Sequence, residues 1–309
     1  MNRRSFLAGA FGLARTLGAR LDGRANAQLQ GTRLILLGTG GGPLPRKASS
    51  APAQVIISNN TAYVVDCGNG VARQLVFANV PLPSLRHIFI THHHSDHNAD
   101  YGNLILLAWA AGLKTRVDTW GPQPLERMTR LFFDMNATDI DTRIADEGRV
   151  PLVPLVNAHE LTREGLVMQD ENLKVSSALV AHPPMTAFAY RFDSADRSIV
   201  ISGDTARSDS LVKLAQGADV LVHEAMYPPA VDRLVARVPN ASTLKKHLID
   251  SHTSAEDCGR VATAAGVKTL VLSHFVPADD PAVTEQMWAS AAQRYFRGTV
   301  IVAKDLLEI

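Results

Sequence analysis

Apolar residues recur along the chain with two periods, and each period predicts its own kind of element. Short runs dense in Ile, Leu and Val over 33–37, 54–58, 62–66 and 87–91 have strand length and predict strands. Asn59-Asn60, between the second and third runs, predicts a tight hairpin, because asparagine tolerates positive φ. The apolar stretch 99–113 predicts a helix, and Leu125, Met128, Phe132 and Met135 keep helical spacing on the next one. The later half repeats the habit, with strands predicted over 175–181, 187–193, 198–202, 219–222, 267–273 and 299–303, and helices over 255–265 and 282–296. Ser254, followed three residues later by Asp257, predicts the start of the first of those helices. Strands alternating with helices predict a layered α/β protein, and the absence of a Pro-, Gly- or Ser-rich linker predicts one domain over 28–309.

Polar groups fall at a regular place in this pattern. His92, His182, Asp204, His223 and His274 each close an apolar run, and in α/β proteins ligands gather at the carboxyl ends of strands. The densest cluster, His92-His93-His94-Ser95-Asp96-His97, reads H-x-H-x-D-H directly after a predicted strand. Alternate residues of a tight loop share a direction, so His92 and His94 can face one cation while Asp96 and His97 face a second. Imidazole and carboxylate without thiolate suit zinc or a similar borderline metal. The chain has only two cysteines, Cys67 and Cys258, too few for a cysteine zinc site. One loop cannot close two coordination shells, and His182, Asp204 and His274 are the natural suppliers of the remaining ligands. Two adjacent cations sharing an activated water make hydrolysis the expected reaction.

From about Leu34 to the C-terminus these residues resemble the metallo-β-lactamase superfamily, in its ribonuclease Z and arylsulfatase-like branch. The resemblance implies a four-layer αββα sandwich holding two zinc ions per chain. It places His92, His94 and His182 on the first ion, Asp96, His97 and His274 on the second, and Asp204 between them. Asp96 also joins the implied catalytic group, with His223, Glu224 and His252. His223-Glu224-Ala225 is similar to the branch's H-E-A element, in which Glu224 would hold an imidazole in its useful tautomer. His252 would protonate the leaving group or steady an anionic oxygen; its alternative is a polar helix cap. Asp66 matches a buried aspartate that supports a ligating histidine, or else simply forms a turn before Gly68. His87, His93, His159 and His247 fit no position of the pattern and are expected to be structural or surface residues.

Charge and spacing then point to a substrate. Lys+Arg 31 against Asp+Glu 30 gives a formal net charge of +1, without the positive field of a dedicated nucleic-acid binder. The short interval between His182 and Asp204 lacks the long basic arm implied for a true ribonuclease Z. Phe133-Asp134, the 144–148 segment, the 189–193 segment and Ser202-Gly203-Asp204-Thr205 are similar to arylsulfatase-like members. The expectation is therefore a hydrolase of a small organic sulfate or phosphate ester, with no nucleic-acid partner. Met226, Tyr227, Pro228 and Pro229, joined by Trp109, Met185 and Phe275, would wall its pocket. A ribonuclease Z-like phosphodiesterase is the alternative, followed by a lactonase or β-lactamase, and outside enzymes by a metal-dependent ligand-binding protein. Family likeness implies a homodimer.

The first residues stand apart. Asn2-Arg3-Arg4-Ser5-Phe6-Leu7, a mildly apolar stretch and Ala25-Asn26-Ala27 resemble a twin-arginine export signal over 1–27, against the plainer reading of a basic arm. The expectation is a periplasmic or secreted protein. No apolar run after the signal reaches the roughly 20 residues of a membrane span.

Overall fold

In the computed structural model, which describes residues 31–309, parity along each strand decides which layer a side chain enters. The expected export signal over 1–27 lies outside the described residues. The first half supplies strands β1 (Arg33–Gly38), β2 (Ala53–Ser58), β3 (Thr61–Val65), β4 (Leu85–Phe89), β5 (Val117–Pro122) and β6 (Val156–Leu161). The second supplies β7 (Gly165–Gln169), β8 (Leu173–His182), β9 (Met185–Ser194), β10 (Ser198–Ile201), β11 (Val220–Met226), β12 (Thr269–Val276), β13 (Thr299–Val302) and β14 (Leu307–Glu308). They form two seven-stranded sheets, ordered β14-β1-β2-β3-β4-β5-β6 and β13-β12-β11-β10-β9-β8-β7. The sheets are mixed: β3 to β6 pair in parallel in the first, as do β10 to β13 in the second, and the remaining pairings are antiparallel.

Leu34, Leu36, Ile56, Tyr63, Val65 and Phe89 face Phe188, Tyr190, Phe192, Ile199, Ile201 and Val222 across the gap between the sheets. The alternate residues Ile35, Leu37, Val55, Val64 and Ile88 face outward and are buried under helices. Those helices are α1 (Val71–Phe77), α3 (Tyr101–Ala110), α4 (Leu125–Met135) and α5 (Ala137–Glu147), while the short α2 (Ser95–Asn98) carries Asp96 and His97. On the far side, Val200, Leu221, Leu270 and Leu272 are covered from α6 (Asp209–Leu214), α9 (Ala255–Ala265) and α10 (Glu285–Gln293). Between α6 and α9 the chain adds α7 (Val231–Val235) and α8 (Leu244–Ser251). The result is the expected αββα sandwich. Each fully buried Leu or Phe of the three layers contributes roughly 1.5–3 kcal/mol of transfer free energy, so the sheets are held from both faces.

The local devices behave as their residues require. Asn59 and Asn60 both take positive φ in the β2–β3 turn. Ser254 Oγ accepts from the Asp257 amide and caps α9. Helix α4 differs in phase from the pattern: it buries Leu125, Thr129 and Phe133, and Met135 at its end is 76% exposed.

Candidate metal centre

Strand ends build the site, beginning at β4. The chain leaves β4 through Ile90 and Thr91 into His92, and Asp66, in the left-handed region at the end of β3, fastens this exit. Its Oδ1 accepts the Thr91 amide at 2.8 Å and its Oδ2 the Thr91 hydroxyl at 2.9 Å. The same Oδ2 lies 2.7 Å from Nδ1 of His97 and accepts its proton, which leaves His97 Nε2 as the free nitrogen. His182 is fixed in the same way, with Nδ1 donating to the Ser251 carbonyl at 2.9 Å. Both are the outer contacts that orient a ligating imidazole.

The freed nitrogens converge. His94 Nδ1 lies 3.0 Å from Nε2 of His92 and 3.0 Å from Nε2 of His182. Three ring nitrogens meeting at such distances cannot satisfy one another with protons, whereas one cation satisfies all three. Donor atoms of His92, His94, His182 and Asp204 lie within 4.8 Å of one another, and so do those of Asp96, His97 and His274. Asp204 faces both groups. Its Oδ2 is 3.8 Å from His92 and 4.0 Å from His182, while its Oδ1 is 3.3 Å from His97 and 3.1 Å from His274. His97 Nε2 and Asp204 Oδ1 are buried without a hydrogen-bond partner. A buried pair of this kind is costly unless something cationic occupies the space. The donor set therefore fits metal.

Electrostatics agree for the first group of donors. Burial, followed by neighbouring imidazole charge, lowers His92 well below its ordinary range and His94 to about 4, so both present lone pairs at neutral pH. Burial would raise Asp204, but His274 and His97 hold its carboxyl well below the usual range. His274 is delivered from β12 in the left-handed region, a conformation a non-glycine residue keeps only when its surroundings impose it. Gly41 makes room for it, since a Cβ there would stand 2.6 Å from the His274 ring. Gly203 takes φ +59° to turn Asp204 inward, and a Cβ there would lie 2.9 Å from Thr91 Cβ.

Beside these groups stand Glu224 and His252. Glu224 Oε1 accepts the amides of Thr205 at 3.2 Å and Thr253 at 3.0 Å, and lies 3.1 Å from His252 Nδ1. A His252 ring nitrogen comes within 4.8 Å of donor atoms on Asp204 and His274. Burial works to lower the His252 imidazole, but the Glu224 carboxylate overrides it and the pKa is pushed up to about 9.

His223 is not brought to the site. It precedes Glu224 on β11 and therefore points to the opposite face, where Nδ1 meets the Glu224 carbonyl and Cys258 Sγ lies 3.7 Å away. Cys67 and Cys258 are both free and buried. His93 is bound to the Pro122 carbonyl, and His159 stacks on Trp120 beside Asp118. His247, expected to be structural, instead lines the site, its ring 5.7 Å from that of His94 and 5.6 Å from that of His182. The H-x-H-x-D-H pattern does not reach so distant a residue. Gly42 was also unforeseen as a partner: its amide donates to Asp96 Oδ2 at 2.8 Å.

The centre opens into a cavity of about 310 Å³. Its apolar wall is not made by the expected residues: Leu234, Val238, Ala241, Leu244 and Leu248 face it. Tyr227, Pro228 and Pro229 line a separate cleft with Ser254 and Met287. Met226, Trp109 and Phe275 are packed into cores.

A family model described as a β-lactamase superfamily domain matches residues 61–275. The chain belongs to that superfamily. It is 31% identical over 277 residues to ribonuclease Z of Mycobacterium bovis (strain BCG / Pasteur 1173P2), covering 88% of this chain and 96% of that relative. Among solved structures it is similar to human tRNase Z, short form, at TM-score 0.67 and 22% identity, covering 90% of this chain and 98% of that one. The metallo-β-lactamase fold protein YhfI of Bacillus subtilis superposes at TM-score 0.66 with 20% identity, covering 90% and 98%. The chain is accordingly a metal-dependent hydrolase of ester bonds.

These likenesses overturn two expectations, the arylsulfatase-like small ester as substrate and the exclusion of nucleic acid. The alignment runs along 96% of a relative named ribonuclease Z, so chain length and a missing arm do not separate the two proteins. The residues that suggested an arylsulfatase are mostly scaffold. Phe133 is buried in the outer core of the first sheet, Tyr190 donates to the Ile90 carbonyl between the sheets, and Arg191 pairs with Asp193.

Proposed function

We propose that the chain is a ribonuclease Z-like phosphodiesterase acting on RNA, with two zinc ions held by the seven converging ligands. The observation that carries this reading is the pairing of two adjacent donor groups around Asp204 with 31% identity along nearly the whole of a ribonuclease Z. His92, His94 and His182 would hold one ion, Asp96, His97 and His274 the other, and Asp204, which faces both groups, would serve both. Bound there, two divalent cations would supply Lewis acidity, lowering the pKa of water and offsetting negative charge on a phosphate. Asp66, Ser251 and Gly42 keep three of the ligands aimed before substrate arrives. His252, its Nδ1 held against Glu224, carries a proton on the ring edge that faces the centre and delivers it to the departing oxygen. The test is hydrolysis of a transfer-RNA precursor and of bis(4-nitrophenyl) phosphate by zinc-loaded protein. Turnover of both supports the reading, and cleavage of neither rejects it.

Residues 28–309 act in this proposal as one hydrolase domain and 1–27 as an export signal, supported by Arg3-Arg4 and Ala25-Asn26-Ala27. Fractionation checks the signal: shortened protein outside the cytoplasm supports it, and full-length protein confined to the cytosol rejects it.

A further inference from the structure

A phosphodiester in RNA arrives with its neighbours attached, so strand beyond the scissile phosphate has to lie along the protein surface. Next to the metal-centre cavity, and sharing Pro43, Leu44 and Arg46 with it, runs a second groove of about 360 Å³ between the 43–51 loop and α1. Lys47 and Arg73 stand exposed in this groove. Phe77, the last residue of α1, leaves 52% of its surface uncovered, and the Arg73 guanidinium lies 5.0 Å from its ring centroid.

The charge here is one-sided. Three cationic side chains line the groove and no carboxylate does. Two carboxylates lie behind the groove's backbone without lining it: Asp100 accepts the Gly70 amide, and Asp305 accepts the amides of Thr39 and Ser50. An uncovered aromatic ring beside paired cations is the combination that binds single strands, in which bases stack on the ring and phosphates follow the charge. A net charge of +1 over the whole chain does not oppose this, because the field that matters is local.

We propose that the 43–51 loop and α1 form a track for single-stranded RNA leading away from the metal centre, with phosphates at Lys47 and Arg73 and a base stacked on Phe77. The choice of RNA rests on the phosphodiesterase reading above, but the test does not depend on turnover. Binding of a short fluorescein-labelled oligouridylate is followed by anisotropy at several salt concentrations, using the full protein. Phe77→Ala weakens binding about tenfold, the loss of one stacked base. Lys47→Ala with Arg73→Ala lowers the slope of log affinity against log salt by about 1.4, since each single-strand phosphate contact carries about 0.7. Lys174→Ala, exposed on the second sheet, leaves affinity as it was. Wild-type affinity in the Phe77 and Lys47/Arg73 variants overturns the track. So does a Phe77→Ala protein that binds RNA normally but sediments as a smaller species, which would make the face a contact with a second copy. Hydrolysis of bis(4-nitrophenyl) phosphate by the wild type reads the phosphodiesterase proposal separately, because that probe has no chain to lie in the groove.

Discussion

At the scale of single residues, His97, His182 and His252 each have one ring nitrogen committed to a partner outside the centre. Asp66 takes the proton of His97, the Ser251 carbonyl that of His182, and Glu224 faces Nδ1 of His252. Removing a committed partner leaves the ligand in place but poorly aimed. Asp66→Ala is expected to weaken metal binding about 10–100-fold, read by competition with a chelating dye. His252→Ala should lower kcat by about 10²–10⁴ with metal content unchanged, the signature of a lost proton donor; unchanged kcat would leave His252 a structural partner of Glu224. For Glu224→Gln the sign follows from charge. A donor works only while protonated, so activity falls as pH rises through its pKa; losing the carboxylate lowers that pKa, and the alkaline limb of kcat moves to lower pH. The seven proposed ligands were legible because His92, His182, Asp204 and His274 close apolar runs, and His94, Asp96 and His97 share the short loop that His92 begins. His247 was not, because it reaches the site from α8, and no local spacing records that approach. His223 was misplaced by ignoring strand parity: if Glu224 points into the site, its neighbour on β11 points out.

At the scale of elements, the apolar strands were readable, including β13 at a sheet edge, and β5 and β6 were not. β5 reads Val-Asp-Thr-Trp-Gly-Pro, half polar and closed by turn residues, and β6 is only partly buried along its whole length. Strands of that kind are stabilised by pairing with a neighbour already in place, which leaves a weak signature in their own residues. The phase of α4 escaped for a related reason: Thr129 is buried where its hydroxyl meets Tyr101 and the Leu125 carbonyl, a polar solution that an apolar count skips. The turns are where element and site meet. Gly203→Ala forces a side chain into the left-handed region at a cost of about 1–3 kcal/mol and against Thr91. Its expected outcome is a lower Tm together with weaker metal binding, since Asp204 rides on that turn; metal binding equal to wild type would separate turn from ligand. Phe192→Ala, in the layer between the sheets, should instead cost about 3–5 kcal/mol in denaturant unfolding.

At the scale of the whole molecule, two mixed sheets bring strand ends from both halves to one rim, so ligands as far apart in sequence as His92 and His274 share one centre. That convergence was inferable from the habit of polar groups following strands. The substrate class was not, because net charge and segment length average over a surface whose relevant features are local. A rim made of two half-sheets that carries many buried, mutually close titratable groups should also depend on its ions for stability. The account rests on two cations that share Asp204, and metal content per chain, measured on purified wild-type and Asp204→Ala protein together with turnover of bis(4-nitrophenyl) phosphate, tests it most directly. Two zinc ions in the wild type, with loss of metal and of turnover in the variant, is the predicted result. A wild type that never holds more than one ion, or an Asp204→Ala protein that keeps two and hydrolyses at the wild-type rate, would contradict it.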